Sequence, residues 1–249
     1  MWILKEAPPW FIDFEDARVY RSKSGTAFTF RRDQDHVKFN RIYRRSLITE
    51  RSARAALAAK LPWEYAPVDF GNGLTVGAFW SVGTGTGRWE FLNKHVMPPL
   101  TGKRVLDLGS NNGVMSMMML RAGASEVIGL EISPSHVEKA QLVHSIYEWR
   151  DMRRYTLQIH NCDMLETLRT DWGKFDLVTA FCSLYYLEID DMARVVRKAS
   201  ELAPIMVIQA NIGGSKRKKA SVTFLKKLLE KKVSLKSISL RHRTIPGLY

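Results

Sequence analysis

An α/β fold is the class this 249-residue sequence predicts: a Rossmann-like, doubly wound, mostly parallel sheet with a small N-terminal appendage. Three observations predict it. From Lys103 onward, apolar strand runs alternate with helical patterns, the order that builds parallel βαβ units. The run Arg104-Val-Leu-Asp-Leu-Gly-Ser-Asn-Asn-Gly113 carries a strand into a glycine turn and on into a helix. The next strand, Glu126-Val-Ile-Gly-Leu-Glu-Ile132, ends on an acid, Glu131, where open α/β sheets hold a ribose.

The elements follow in order. Residues 1–75 form an accessory region, a hairpin plus a helix, expected to complete or cover a substrate site. Its hairpin is predicted from Arg18 to Phe30, alternating around Lys23-Ser-Gly, and its alanine-rich helix from Arg51 to Lys60, before Pro62. Residues 76–249 form the main domain. Gly71-Asn-Gly and Gly83-Thr-Gly-Thr-Gly flank Trp80 and precede Trp89, as mobile lids or plain surface turns. Strands are expected at 104–109, 126–132, 155–162, 175–181 and 204–210, with a helix from Val114 to Arg121. Another helix opens at Ser133-Pro134, a capping hydroxyl followed by proline at the first helical position. The helix 189–202 places Met192, Val195, Val196, Ala199 and Leu202 on one face, with Asp190 and Asp191 at its positive end and Arg197 and Lys198 towards the negative one. A helix at 220–232 and a strand at 234–240 complete the pattern.

Composition narrows the class. Hydrophobic residues at 45% suffice for a full core, which excludes wholesale disorder. The N-terminus does not resemble a signal peptide, and no apolar run reaches the roughly 18 residues of a membrane span. The two cysteines and six histidines fall in no ligand spacing, so no metal site is expected. A cytoplasmic protein is the expectation; the sequence assigns no oligomeric state. The net charge of +13 is unevenly spread. Residues 1–60 hold 13 Lys/Arg against 7 Asp/Glu, residues 61–210 hold 14 against 17, and residues 211–249 hold 11 against 1. A slightly acidic core between basic flanks suits an anionic partner such as RNA, or else a solubilising surface.

Two nucleoside cofactors fit a glycine loop on a parallel sheet. A dinucleotide fingerprint needs G-x-G-x-x-G, yet Asn111 and Val114 stand where its second and third glycines belong, and Asp107 would face the pyrophosphate. S-adenosyl-L-methionine carries no phosphate, and its cationic methionine end suits an acid there. Asp107-x-Gly-x-x-x-Gly113 with Glu131 about 20 residues on therefore reads as a methyl-donor site, an ordinary glycine turn being the alternative. The candidate donor residues are Asp107, Gly109, Ser110, Asn111, Gly113, Glu131, Ile132, Asp163, Met164 and Phe181. Asp163 either accepts the adenine amino group or caps a helix, and Met164 covers the ring. Tyr185 and Tyr186, past the strand 175–181, are the candidate catalytic residues, orienting an acceptor for displacement. Cys182 more simply fills space. Lys216 and Arg217 could touch phosphates, and Trp80 and Trp89 complete the candidate substrate set.

Val105 to Glu131, with Phe175 to Leu187, resembles the class I S-adenosylmethionine-dependent methyltransferases over roughly residues 100–249. More narrowly, Phe79-Trp80, Arg88-Trp89, Pro99 to Gly113 and Leu184-Tyr185 are similar to the tRNA wobble-uridine methoxyuridine/oxyacetate methyltransferase family. That resemblance implies a pocket role for Tyr185 and Trp89. Tyr186 stands where the family has histidine. The C-terminal arginine with which its carboxymethyl-donor members read the extra carboxylate has no counterpart here, so the ordinary methyl donor is expected. The leading expectation is methyl transfer onto an O or N acceptor on tRNA or another RNA. A small-molecule or glycan acceptor stands second, and a catalytically inactive RNA-binding or partner protein third.

Overall fold

The structure, a computed structural model, describes residues 3–4, 17–22, 25–30, 50–60, 62–63, 68–70, 74–76, 86–151 and 153–210. The turn at Lys23-Ser24, Gly71-Asn-Gly, the glycines at 83 and 85, Trp80, Lys216, Arg217, the helix 220–232 and the strand 234–240 lie outside the described residues.

The N-terminal part holds β1 (Ile3–Leu4), β2 (Ala17–Ser22) and β3 (Gly25–Phe30). They form an antiparallel sheet in the order β1-β3-β2, with Ser22 opposite Gly25 at the expected hairpin. Next come α1 (Glu50–Ala59), the short antiparallel pair β4 (Val68–Asp69) and β5 (Thr75–Val76), and α2 (Thr86–His95). The remainder alternates: β6 (Arg104–Leu108), α3 (Val114–Arg121), β7 (Glu126–Glu131), α4 (Pro134–Asp151), β8 (Leu157–Asn161), β9 (Leu177–Phe181), α5 (Ile189–Leu202) and β10 (Met206–Gln209). Short 3-10 turns, Met164–Leu168 and Leu184–Tyr186, follow β8 and β9.

The five strands β6 to β10 pair in parallel in the order β10-β9-β6-β7-β8. From β6 the chain moves outward to β7 and β8, then returns to the other side for β9 and β10. The connections leaving β6 and β9 therefore diverge, opening a crevice at the carboxyl ends of these two strands. Alternation along the strands feeds two cores. Val105, Val127, Leu177 and Val207 point to one, with α3 and α4; Leu106, Leu108, Ile128, Leu130 and Val178 point to the other, with α5. Methionines 117 to 119 are buried in α3, as core rather than as a binding face. The cations of α5 stop short of its last turn, where Lys198 instead meets Glu201.

Part of the expected accessory region shares the first core. Ala53, Leu57, Trp63, Val68, Phe70, Leu74 and Val76 belong to the same buried cluster as Met117 and Ile146. Polar ties fix it to α4: Lys60 pairs with Glu138, and Lys139 Nζ donates to Pro62 O at 2.7 Å. Tyr147 adds its hydroxyl to Asp69 O at 3.2 Å and its ring to Phe70 at 4.9 Å. Trp89, expected beside a glycine loop, instead sits within α2 and is only 7% exposed. Thr86 and Gly87 already belong to the helix, and an indole is too large an apolar surface to leave in water when a core lies beneath it.

Candidate functional site

The crevice at the ends of β6 and β9 is lined by Arg88, Asp107, Gly109, Ser110, Asn112, Val114, Met115 and Phe181. Asp107 is its deepest group. The side chain is 1% exposed; Oδ2 accepts the Ser116 hydroxyl at 2.6 Å and Oδ1 the Thr179 hydroxyl at 2.8 Å. Burial raises its pKa above the ordinary carboxylate range, against the two hydroxyl bonds and the Arg88 charge, which favour ionisation. A cation brought to this carboxylate replaces lost water and is stabilised in return.

The loop after β6 is shaped by backbone geometry. Gly109 and Gly113 have φ of +75° and +70°, where a side chain is strained. A Cβ at Gly109 would stand 2.5 Å from Ser183 Cβ, and one at Gly113 would stand 2.7 Å from Ala140 Cβ. Asn111 also takes a left-handed conformation, φ +51°, which asparagine tolerates. Its N–H donates to Glu131 Oε2 at 2.8 Å, while Ser133 N–H donates to Oε1 at 2.9 Å. Glu131 is thus held at the end of β7 by the loops on either side of it. The Ser110 hydroxyl oxygen lies buried beside this loop without a hydrogen-bond partner.

The remaining expected donor residues ring the same edge. Ile132, directly after Glu131, is 69% exposed, an apolar side chain with one face to solvent at the mouth of the site. Asp163 caps the first 3-10 turn, accepting Leu165 N–H at 2.5 Å, and Met164 opens that turn. Phe181 is buried at the end of β9, 5.8 Å beneath the Arg88 guanidinium. Tyr185 and Tyr186 lie on the second 3-10 turn with ring centroids 4.8 Å apart; Tyr186 is 63% exposed and Leu184 anchors the turn in the core. Burial keeps the Cys182 thiol up and neutral in spite of Arg88, which fits a filler rather than a nucleophile.

Several residues of the site were given no role from sequence, even where, as with Arg88, they were quoted for the resemblance. Arg88 is the main one. It is 5% exposed, reaches from α2 to donate to Gln209 Oε1 at 2.8 Å and to Cys182 Sγ at 3.7 Å, and lines the cleft with Asp107. A buried cation and a buried acid in one cleft suit a zwitterion, such as the amino and carboxylate groups of an amino acid. Ser116 and Thr179 were missed as holders of Asp107; the signal for Thr179 was a lone hydroxyl inside the apolar strand Leu177–Phe181. Among the described residues no group of three or more His, Cys, Asp or Glu could hold a metal, and no helix is long and apolar enough to cross a membrane.

Known proteins resemble this arrangement. Residues 105–203 match a protein family described as "Methyltransferase domain". The chain is 40% identical over 78 residues to a tRNA U34 carboxymethyltransferase of Pseudomonas aeruginosa (strain LESB58), covering 31% of this chain and 22% of that protein. It is 29% identical over 116 residues to a ubiquinone biosynthesis O-methyltransferase of Neisseria meningitidis, covering 46% of this chain and 44% of that one. The chain spans less than half the length of these curated relatives. Among solved structures, the N-terminal domain of EvdMO1 with SAH bound aligns over 74% of this chain and 87% of its own, at 14% identity and a TM-score of 0.50. That likeness concerns the fold. The stretch that matches the methyltransferase domain, residues 105–203, is built on a Rossmann-like sheet.

Proposed function

We propose that this chain is an S-adenosyl-L-methionine-dependent methyltransferase that modifies an O or N atom of an anionic acceptor, RNA and in particular tRNA. The observation that carries the reading is the cleft itself: Asp107 and Arg88 buried together at the switch point of the sheet, one strand away from the fixed carboxylate of Glu131. Asp107 takes the methionine ammonium and Arg88 its carboxylate. The unpartnered Ser110 hydroxyl and the turn at Gly109 to Gly113 enclose the same end. Glu131 holds the ribose, Ile132 and Met164 sandwich the adenine, and Asp163, whose Oδ1 caps the 3-10 turn, receives the amino group at its other carboxylate oxygen. When bound, the donor supplies a methyl group activated by a sulfonium.

The chain's own task is alignment. Phe181 and Arg88 close one wall, which excludes water from the reacting atoms. Tyr185 and Tyr186 orient the acceptor, whose proton leaves to solvent as the new bond forms. Trp89 serves from beneath, fixing α2 so that Arg88 reaches the cleft. Trp80, Lys216 and Arg217 extend the acceptor surface, and the basic flanks supply the phosphate contacts. A cytoplasmic location belongs with this reading.

A small-molecule or glycan acceptor is the second reading, favoured by the acids Glu188, Asp190 and Asp191 that directly follow Tyr186. Incubating the full chain with methyl-labelled donor and either total tRNA or a low-molecular-weight cell extract separates the two. Label in nuclease-sensitive, acid-precipitable material supports RNA. Label confined to small metabolites supports the second reading, and label in neither removes both.

A further inference from the structure

The acid expected to hold a ribose already has a side-chain partner. His136, in the first turn of α4, places Nδ1 3.2 Å from Glu131 Oε1. The same nitrogen lies 3.4 Å from Asn111 Nδ2, whose amide is oriented by the bond from Asn112 N–H to Asn111 Oδ1. Nδ1 thus stands between an acceptor and a donor and satisfies one at a time. Carrying a proton it bonds Glu131; bare, it accepts from Asn111.

Counting acceptor positions gives this choice a consequence. A carboxylate accepts at about four positions. Asn111 N–H, Ser133 N–H and His136 use three of those on Glu131. A ribose diol needs two, so one donor must withdraw. The two N–H groups belong to the loops that build the crevice, whereas His136 is a side chain that can turn to Asn111.

We propose that His136 is a positioning residue for the nucleoside: it competes with the ribose for Glu131, and releasing that bond is part of donor binding. The inference rests on the donor reading above and adds a residue to it. A doubly protonated imidazole cannot accept from Asn111 and stays on the carboxylate, so acid weakens nucleoside binding. Among the described residues, the titratable and charged groups on the elements around α4 are Glu126 and Glu131 on β7, His160 on β8, Arg54 on α1 with Lys60 just past it, and Arg121 on α3; Glu126 is paired with Arg104. Lys60 is paired with Glu138 and Arg121 with Asp151, towards the other turns of α4. On α4 itself Lys139 is directed to Pro62 O. Glu131 lies within bonding reach of the imidazole.

The test is calorimetric titration of the full chain with adenosine, which has the ribose and lacks the methionine end, so that Asp107 does not enter the result. S-adenosylhomocysteine serves as the companion ligand. Wild-type affinity for adenosine should fall about five- to tenfold between about pH 8 and about pH 5.5, the range over which histidines change charge. His136→Leu and His136→Gln should bind adenosine more tightly than wild type at the acid end and show a nearly flat profile. Two variants of different polarity, each checked by its melting curve, guard against a packing artefact. Parallel pH profiles for wild type and both variants overturn the role of His136 while leaving the donor site standing. Failure of folded wild type to bind S-adenosylhomocysteine at either pH overturns the donor reading and this inference with it.

Discussion

Two neighbouring strands, β6 and β7, each end in a buried acid, yet they hold it by different means. Asp107 is gripped by side-chain hydroxyls from α3 and β9, in a place where burial favours the protonated form. Glu131 is gripped by backbone N–H groups of two loops. Hydroxyls can rotate to donate or accept, so Asp107 tolerates a change of charge; N–H groups only donate, so Glu131 is held as an acceptor. On the proposed reading, Asp107 responds to a charge and Glu131, one strand away, counts hydrogen bonds, so that the donor's charged amino-acid end and neutral sugar match the two in that order.

The largest effect should come from breaking both ends together. The loop Gly109 to Gly113 carries the Asn111 N–H to Glu131 and runs directly on from the strand bearing Asp107. Gly113→Val would add a side chain at φ +70°, with its first carbon 2.7 Å from Ala140 Cβ in the core of α4. Strain plus overpacking should cost about 3 kcal/mol or more, seen as a lowered denaturation midpoint and absent ligand binding. A melting curve equal to wild type would show that the loop is not clamped against α4 as described.

Single-end variants come next and sharpen the contrast. Glu131→Ala should lower affinity for both adenosine and S-adenosylhomocysteine by about a hundredfold, the cost of about 2–3 kcal/mol for losing a doubly bonded acid. Asp107→Ala should lower S-adenosylhomocysteine affinity by a similar factor and leave adenosine nearly unchanged. If both variants weakened both ligands equally, the two ends would not be separate devices.

How far the sequence reveals this division depends on what each part rests on. The helices Val114–Arg121 and Ile189–Leu202 were legible to the residue, and the strand that carries Asp107 to within one, because apolar periodicity and glycine turns are local signals. The two acids were legible from their place at strand ends. Arg88 was not: it lies 19 residues before Asp107, on a helix with little amphipathic pattern, and only folding brings it over Phe181. His136 was equally hidden, since a lone histidine near a helix start says nothing about a carboxylate on another element. The share of residues 50–76 in the first core also depends on tertiary contacts, with Leu74 and Phe70 closing on α4 across a long stretch of chain.

A smaller effect is expected at Arg88, which tests whether the charged end reads one charge or two. Arg88→Met keeps the length and apolar contact with Phe181 and removes the guanidinium. S-adenosylhomocysteine affinity should fall about tenfold, adenosine affinity should hold, and a methyl ester of the ligand's carboxylate should no longer distinguish variant from wild type. Equal losses for acid and ester would make Arg88 a packing element.

The smallest effect, and the one of opposite sign, concerns the empty protein. Because burial raises the Asp107 pKa on folding, the folded chain binds a proton there at pH values where the unfolded chain has released it. Its contribution to stability is therefore fully present below the ordinary carboxylate value of about 4 and is lost as pH rises through the higher folded value. Asp107→Asn never ionises, and its amide can meet the Ser116 and Thr179 hydroxyls, which rotate to accept. At neutral pH the variant without ligand should melt at or up to about 2–4 °C above wild type, for about 1 kcal/mol, and the advantage should vanish in acid. Saturating S-adenosylhomocysteine should reverse the order, because the ligand's ammonium stabilises the carboxylate and has nothing to gain from an amide. A residue that lowers stability when the crevice is empty and raises it when filled is what a charge-reading end requires; an Asp107→Asn variant less stable than wild type under both conditions would make Asp107 an ordinary structural acid.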